Sequence, residues 1–473
     1  MLPTTPRQSA DERAARIRFR RAIALMLMTL LLPGSAQLLA GNRRVGRLAL
    51  EIWLLMLVGG LVVMVTGVLH HQFVFWAVSD PFVLLLMRLT LMGLAIGWAA
   101  LFFDAWRIGQ PLSLRFQHRR TVVGVNGILC FSVAGSLLFG AHMVGVQRDL
   151  IMTMFGNGAA TGAHHGRYNV LLMGGDSGAG RWGLRPDSMT VASIDAETGK
   201  TVLISLPRNM QNFPFRAGTP MAKQFPHGFN LDGQYLNGVY TWALDHTSLF
   251  KGSKTPGVDA TISAVEGITG LRINYWAMVN LQGFKDLVNA VGGVKLDVRQ
   301  PIPVGLPSDS YFHYLQPGNR KLDGLDTLWY ARARYDSDDY SRMARQKCVM
   351  SAMLHQVSPQ TVLKNFQAIA KAGTSMVSTS IPHGEVGKFM DLALKAKSQK
   401  ITTVSLVPPA IVTSNPDITK VQQMVQNGID RSEGAAAKLK QKKHRSQTTQ
   451  GGAIGNLSEG YAANQSDDLA STC

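Results

Sequence analysis

Residues Leu322–Met350, LDGLDTLWYARARYDSDDYSRMARQKCVM, carry four arginines in two groups, and the fold of this stretch decides what they face. Leu328, Tyr330, Arg332 and Arg334 alternate with Trp329, Ala331 and Ala333. A period of two predicts an extended strand with both arginines on one face. An acidic loop with Asp336, Asp338 and Asp339 follows, then Ser341 as the expected N-cap of a helix that opens with Arg342, Arg345 and Gln346. Spacings of three and four place those side chains together, near a helix N-terminus that itself favours anions. Four guanidiniums aimed at one place suit a dense anion, and bidentate arginine suits phosphate oxygens. The competing reading is a solvated basic surface, the usual fate of a charge run. Against it, the small apolar residues around Arg332 and Arg334 read as core rather than surface.

Outward from this stretch, strands and helices interleave. Tyr168–Met173 is a short apolar run that predicts a buried central strand. It ends in Gly174-Gly175-Asp176, where ligand sites of open α/β sheets gather. Arg185-Pro186-Asp187, a strand over 188–194, a turn at 197–200 and a strand over 201–206 read as hairpin chemistry, broken at Pro207-Arg208. Helices are expected near 236–249, 260–269, 284–291, 349–372 and 385–397, with strands at 273–279, 294–298 and 401–407. This pattern gives an α/β domain with a mixed sheet. Domain limits follow at 168–430, after a Gly-rich linker at 148–167 and before a polar, disordered tail at 431–473.

The chain has 473 residues and a net charge of +18. Much of that excess precedes residue 148, where fourteen arginines meet five acidic residues in an intensely apolar context. The charge therefore reads as membrane topology, and with no zinc-finger spacing or RNP-like run, nucleic acid is excluded as a partner. Apolar stretches lie at 22–40, 48–69, 82–106 and 121–146. Four spans from a cytoplasmic N-terminus would invert the positive-inside rule at every loop. The first stretch is interrupted by Pro33-Gly34-Ser35, so it is expected to be re-entrant or interfacial. Three spans then put the basic loops and residues 1–21 in the cytoplasm and the α/β domain outside. Arg88, about two turns inside its span, is expected to snorkel to the interface.

Asp176 and Asp187 lie near strand ends, close in sequence to Arg185 and Arg208. Carboxylates beside cations suggest a hard metal bridging to phosphate, since Mg²⁺ takes one or two carboxylates and leaves its other positions to water and phosphate oxygens. The alternative is that each aspartate caps its own turn.

The runs NVLLMGGD, RPDSM, SLPRN, INYWAMVNLQGFKDLVNAVGGVKLDV and LQPGNRKLDGLDTLWYARARYDSDDYSRMARQ, in that order over roughly 168–412, resemble the LytR–CpsA–Psr family, in its actinobacterial multi-span branch. The resemblance implies N-terminal transmembrane helices and an αβα domain outside the membrane. It implies a multi-pass protein of the cell membrane that moves a glycopolymer from a polyprenyl-pyrophosphate carrier to peptidoglycan through a phosphodiester. On that pattern Asp176 and Asp187 would hold Mg²⁺ (or Mn²⁺). Arg185, Arg208, Arg332, Arg334, Arg342 and Gln346 would grip the pyrophosphate, with Arg208, Arg332, Arg334 and Asp339 as the catalytic set. Arg345 matches less well as a direct ligand. Where the family commonly has Arg-Asp after the proline, this chain has Arg208-Asn209, which removes a charge pair at 209.

Three cysteines are too few for a disulfide scaffold. Cys348 and Cys473 could pair in an oxidising exterior and tie the tail to the arginine-bearing helix, or remain free thiols. Helices 284–291 and 349–363 could line a slot for a prenyl chain, although core packing explains them as well. Two other functions stay open: a phosphatase on the same lipid pyrophosphate, and a non-catalytic binding or regulatory protein.

Overall fold

The computed structural model describes residues 10–156, 158–176, 185–334, 338–357, 365, 368–369, 377–434, 464 and 473. Two compact units emerge, Met1–Ile151 and Met152–Cys473.

The first unit is helical: α1 Ala10–Leu31, α2 Ser35–Ala40, α3 Arg43–Leu69, α4 His71–Ser79, α5 Pro81–Ile108 and α6 Phe116–Met154. Side-chain oxygens of Asn42 and Asp80 accept from the first N–H groups of α3 and α5, and Pro81 occupies the first turn of α5. The helices α3, α5 and α6 are long and apolar enough to cross a membrane. The stretch at 22–40 is broken between α1 and α2, where Gly34 adopts φ 92° and an added Cβ would meet the Gly46 carbonyl oxygen at 2.4 Å. Both pieces are pinned to α5: Gln37 donates to the Leu101 carbonyl (3.0 Å) and Trp98 donates to that of Thr29 (3.1 Å). Arg88 packs against α6, its guanidinium 3.1 Å from where a Cβ on Gly145 would stand.

The second unit begins with β1 Arg167–Asp176, β2 Arg185–Asp195 and β3 Thr201–Leu206. Then come α7 Pro220–Gln224, α8 Gly238–Asp245, α9 Pro256–Thr269, β4 Tyr275–Asn280 and α10 Leu281–Ala290. Small strands β5 Val294–Val298, β6 Ile302–Val304, β7 His313–Leu315 and β8 Gly318–Leu322 precede α11 Gly324–Arg332 and α12 Asp339–Gln356. The chain closes with β9 Val377–Thr379, α13 Val386–Lys397, β10 Thr402–Ser405 and α14 Ile418–Glu433.

The central sheet has the order β10-β3-β2-β1-β4-β9. β1 runs parallel to β4 and β10 parallel to β3, whereas β2 is antiparallel to both neighbours, so the sheet is mixed. Alternation sorts its two faces. Leu171, Met173, Met189, Val191 and Ile204 join α8, α9 and α14 in the main core. On the other face α10, α11 and α12 build a second core around Val288, Tyr330, Cys348 and Val349.

The strand expected over Leu328–Arg334 is instead α11. Asp323 caps it, its carboxylate accepting from the Asp326 N–H at 2.9 Å. Gly324 packs so closely on α10 that a Cβ would stand 2.1 Å from the Lys285 carbonyl oxygen. Over seven residues an alternation of two cannot exclude a helical period, and the cap decides. Arg332 is the last helical residue and Arg334 lies beyond it. Asp338, not Ser341, caps α12, accepting from the N–H groups of Tyr340 (2.8 Å) and Ser341 (2.9 Å). The expected linker is partly helical, because α6 continues to Met154, and α14 carries regular structure past 431 to Glu433. Asp336, most of 358–372 and most of the tail lie outside the described residues. Of that tail, Cys473 is bonded to Cys348, with Cα atoms 5.3 Å apart.

Candidate active site

A β-bulge starts the site. β1 and β2 pair Gly174 with Ser188 and then Gly175 with Pro186, so Asp187 is the extra residue. Bulges re-aim side chains in this way. Arg208, just after β3, donates from Nη1 to Asp187 Oδ1 (2.6 Å) and from Nε to Asp339 Oδ1 (3.2 Å). Asp339 opens α12 and also accepts from Arg342 Nε (3.2 Å) and Nη2 (3.1 Å), with Arg334 Nη1 at 3.7 Å. Arg342 Nη1 reaches back to the Asp187 carbonyl oxygen at 2.8 Å. One carboxylate thus gathers three guanidiniums from three separate parts of the chain.

Positive charge exceeds negative in this cluster. Burial pushes the Asp187 carboxyl up, but the hydrogen bond and charge of Arg208, with help from Asn237 and Arg342, hold it below the usual range. Arg208 is raised because Asp187 and Asp339 outweigh its burial. Arg334 is lowered, first by burial and then by the like charges of Arg208 and Arg342. A cation disfavoured by its neighbours is relieved by an arriving anion.

Beside the cluster lies a cavity of ≈ 280 Å³. Its floor is the small or polar side of the sheet, including Gly174, Ser188, Thr190 and Ala277; Phe284, Leu328, Val349 and Met350 wall it. Asp187, Arg332, Arg334, Arg342 and Gln346 border the same space. Arg332 is held over the Trp329 ring, 5.3 Å from its centroid. The cavity is apolar with a cationic border, which fits an amphiphile carrying a phosphate group.

Not every expected residue belongs to the cluster. Arg345 is fully buried and donates to the carbonyl oxygens of Tyr330 (2.7 Å) and Ala333. It clamps the end of α11 rather than facing a ligand, and burial pushes its guanidinium down to about 10. Gln346 donates to the Ala331 carbonyl at 3.1 Å, so its amide is partly spent on the same task. Arg185 is exposed at the start of β2, with no described contact to the cluster. It stands opposite Asp176, the last residue of β1.

Among the described residues no three His, Cys, Asp or Glu side chains gather as a metal cage. A cation bound mainly by phosphate and water needs less. Arg208 and Asn237 both donate to Asp187 Oδ1 and neither to Oδ2, while Asp176 stands on the adjacent strand one pair past the bulge. Asp187 Oδ2, which has no described donor, suits a hard divalent ion.

Asn237 escaped the sequence reading. It precedes α8, donates to Asp187 Oδ1 at 3.2 Å, and no motif announces it. The cavity floor did leave a signal: Ser188 and Thr190 in β2 alternate with Met189 and Val191, small and polar against large and apolar.

The profile of the LytR_cpsA_psr family matches residues 147–441. Biofilm regulatory protein A of Streptococcus mutans is 24% identical over 60% of this chain and 69% of its own length. The polyisoprenyl-teichoic acid–peptidoglycan teichoic acid transferase TagU of Enterococcus faecalis is 25% identical over 56% of this chain and 80% of its own. The transferase TagV of Bacillus subtilis is 27% identical over 56% of this chain and 65% of its own. The crystal structure of B. subtilis TagV matches 56% of this chain and 97% of that one at 24% identity, with a TM-score of 0.41.

Proposed function

The chain belongs to the LytR_cpsA_psr family, and we propose that it is a membrane-anchored phosphotransferase that joins a glycopolymer, delivered on a polyprenyl-pyrophosphate carrier, to peptidoglycan. One observation carries this reading: the cluster of Arg208, Arg334 and Arg342 around Asp339 borders an apolar cavity. A diphosphate on a hydrocarbon chain needs both parts. The names of the related transferases, which couple polyisoprenyl-linked teichoic acid to peptidoglycan, support the same class.

The reaction follows from this division of labour. A hydroxyl of peptidoglycan attacks the phosphorus that bears the glycan. The bridging P–O bond breaks, polyprenyl phosphate leaves, the hydroxyl proton is released, and the glycan remains on its acceptor through a phosphodiester. Arg208, Arg334 and Arg342 would neutralise the equatorial oxygens and hold them in line, which is most of what phosphoryl transfer asks of a protein. Asp339 keeps these three side chains pointed at one place. Arg332 would meet the phosphate nearer the chain. Asp187, kept ionised by Arg208, would hold Mg²⁺ or Mn²⁺ with Asp176; such an ion polarises phosphoryl oxygens and stabilises the leaving group. The arginines before residue 148 that flank the spans would set the topology, with the basic loops in the cytoplasm and the α/β domain outside.

The products test it. Full-length protein in liposomes, given a polyprenyl-pyrophosphate oligosaccharide, a peptidoglycan fragment and Mg²⁺, should yield the phosphodiester conjugate and polyprenyl monophosphate. Release of glycan phosphate alone would make it a hydrolase. No turnover, with the lipid still bound, would make it a binding protein.

A further inference from the structure

Residues 305–312, which join β6 to β7, turn apolar side chains outward and their one charge inward. Leu306 is 52% exposed and Tyr311 46%, with Pro307 exposed beside them. Asp309, the only charged residue of the loop, is spent within it. Its Oδ2 accepts from the Leu306 N–H (2.7 Å), its N–H donates to the Leu306 carbonyl (2.8 Å), and its carbonyl accepts from the Phe312 N–H (3.0 Å). Gly305, at φ 91°, leaves room for the Tyr311 ring, which a Cβ there would meet at 3.0 Å. Phe312 and Tyr314 pack edge to face behind the loop, with centroids 5.3 Å apart. The loop is therefore held in one shape, with a leucine, a proline and a tyrosine on its outer side.

The loop leans on the helix that walls the apolar cavity. The Tyr311 hydroxyl lies against the Trp329 side chain, and Arg332 is near enough to act on it electrostatically. Arg332 itself stands over the same Trp329 ring at 5.3 Å and borders the cavity, as Leu328 does one residue earlier. One indole thus separates the exposed apolar loop from the cationic edge of the cavity. Leucine beside tyrosine and tryptophan, each ring with a polar handle, is the composition that settles at a bilayer–water interface. The same chain has three helices long and apolar enough to cross a bilayer. We propose that residues 305–312 dock onto the lipid surface, with Leu306 and Tyr311 in the headgroup layer, so that an amphiphile leaves the bilayer beside Arg332 and enters the cavity. The inference rests on the reading that the cavity takes a lipid, and adds the surface from which it is loaded.

The full-length protein in liposomes of phosphatidylethanolamine and phosphatidylglycerol, in a Cys130→Ser background without reductant, is labelled with a polarity-sensitive fluorophore at Ser308→Cys, inside the loop. The control carries the same label at Gln423→Cys, exposed on α14 at the opposite face of the sheet. The expected result is blue-shifted emission and quenching by nitroxide-bearing lipids at 308, both absent at 423, and both lost when Leu306→Glu is added to the 308 protein. Quenching at 308 no stronger than at 423 overturns the docking. Quenching that survives Leu306→Glu overturns the role given to the apolar tip. A label at 308 that is shielded from aqueous iodide yet untouched by nitroxide lipids is covered by protein, which overturns the lipid assignment. The cavity is tested apart, by titrating the wild type with a short-chain prenyl pyrophosphate. Quenching without such binding supports the docking and defeats the reading of the cavity, a separate failure.

Discussion

Arg345 donates from Nε to the carbonyl oxygen of Tyr330 at 2.7 Å, and this bond joins the two helices that carry Arg332 and Arg342. Its Nη2 takes the Ala333 carbonyl as well, so one buried guanidinium satisfies the frayed end of α11 just where Arg332 and Arg334 emerge. Arg345→Met keeps the volume and removes the donors. It should cost about 2–4 kcal/mol of stability, because buried carbonyls lose their partners. It should also raise donor KM, since Arg334 loses its anchor. Denaturant titration and donor-dependent kinetics check the two halves.

Asp187 is expected to matter through charge, not size. Asp187→Asn should lower turnover about 10²–10³-fold, the range for losing an electrostatic contact to the transition state. Wild-type activity should vanish in EDTA and return with Mg²⁺ or Mn²⁺, whereas the variant should recover little at any metal concentration. Turnover measured against metal concentration distinguishes this from a folding defect.

The same carboxyl makes an acid prediction. Its folded value lies below the ordinary 3.8, so the stability it contributes is complete above that pH and is lost as pH falls through the folded value. Denaturation midpoints followed from pH 7 to pH 3 should drop less steeply in Asp187→Asn than in wild type.

Arg334→Lys preserves the charge but not the planar fork. A lysine cannot grip two phosphate oxygens, so donor affinity should fall about tenfold or more. Direct titration with a short-chain prenyl pyrophosphate, at fixed salt, measures it.

The layer order and most elements could be read from sequence because each depends on local pattern. Val170 and Leu171 are a strand by composition, and the helix expected over 284–291 falls on α10, which begins earlier, at Leu281, behind the Asn280 cap. The arginine-rich stretch was legible in what it gathers and not in its shape. Alternation from Leu328 to Arg334 is compatible with either period, and the deciding Asp323 cap and the Gly324 contact with Lys285 are nonlocal or lie outside the window. Grouping Arg345 with Arg342 by spacing met a related limit. Helical spacing puts it near Arg342, but only tertiary packing reveals that it turns inward to Tyr330. Asn237 was invisible, since its partner Asp187 is distant in sequence.

The bond between Cys348 and Cys473 closes a loop of 125 residues. In the chain-entropy account such a closure stabilises by about 4–5 kcal/mol. Cys473→Ser should therefore shift the denaturant midpoint of oxidised protein down, and adding a reductant should move the wild type toward the variant.

The central claim is that the arginine cluster and the neighbouring cavity together hold one lipid pyrophosphate. The most direct measurement is a structure of the full-length protein with a polyprenyl pyrophosphate and Mg²⁺. The account predicts phosphate oxygens within hydrogen-bonding distance of Arg208, Arg334 and Arg342, the ion on Asp187, and the hydrocarbon between Thr190, Phe284 and Val349. A diphosphate bound elsewhere, with those three arginines still closed on Asp339 alone, would contradict it.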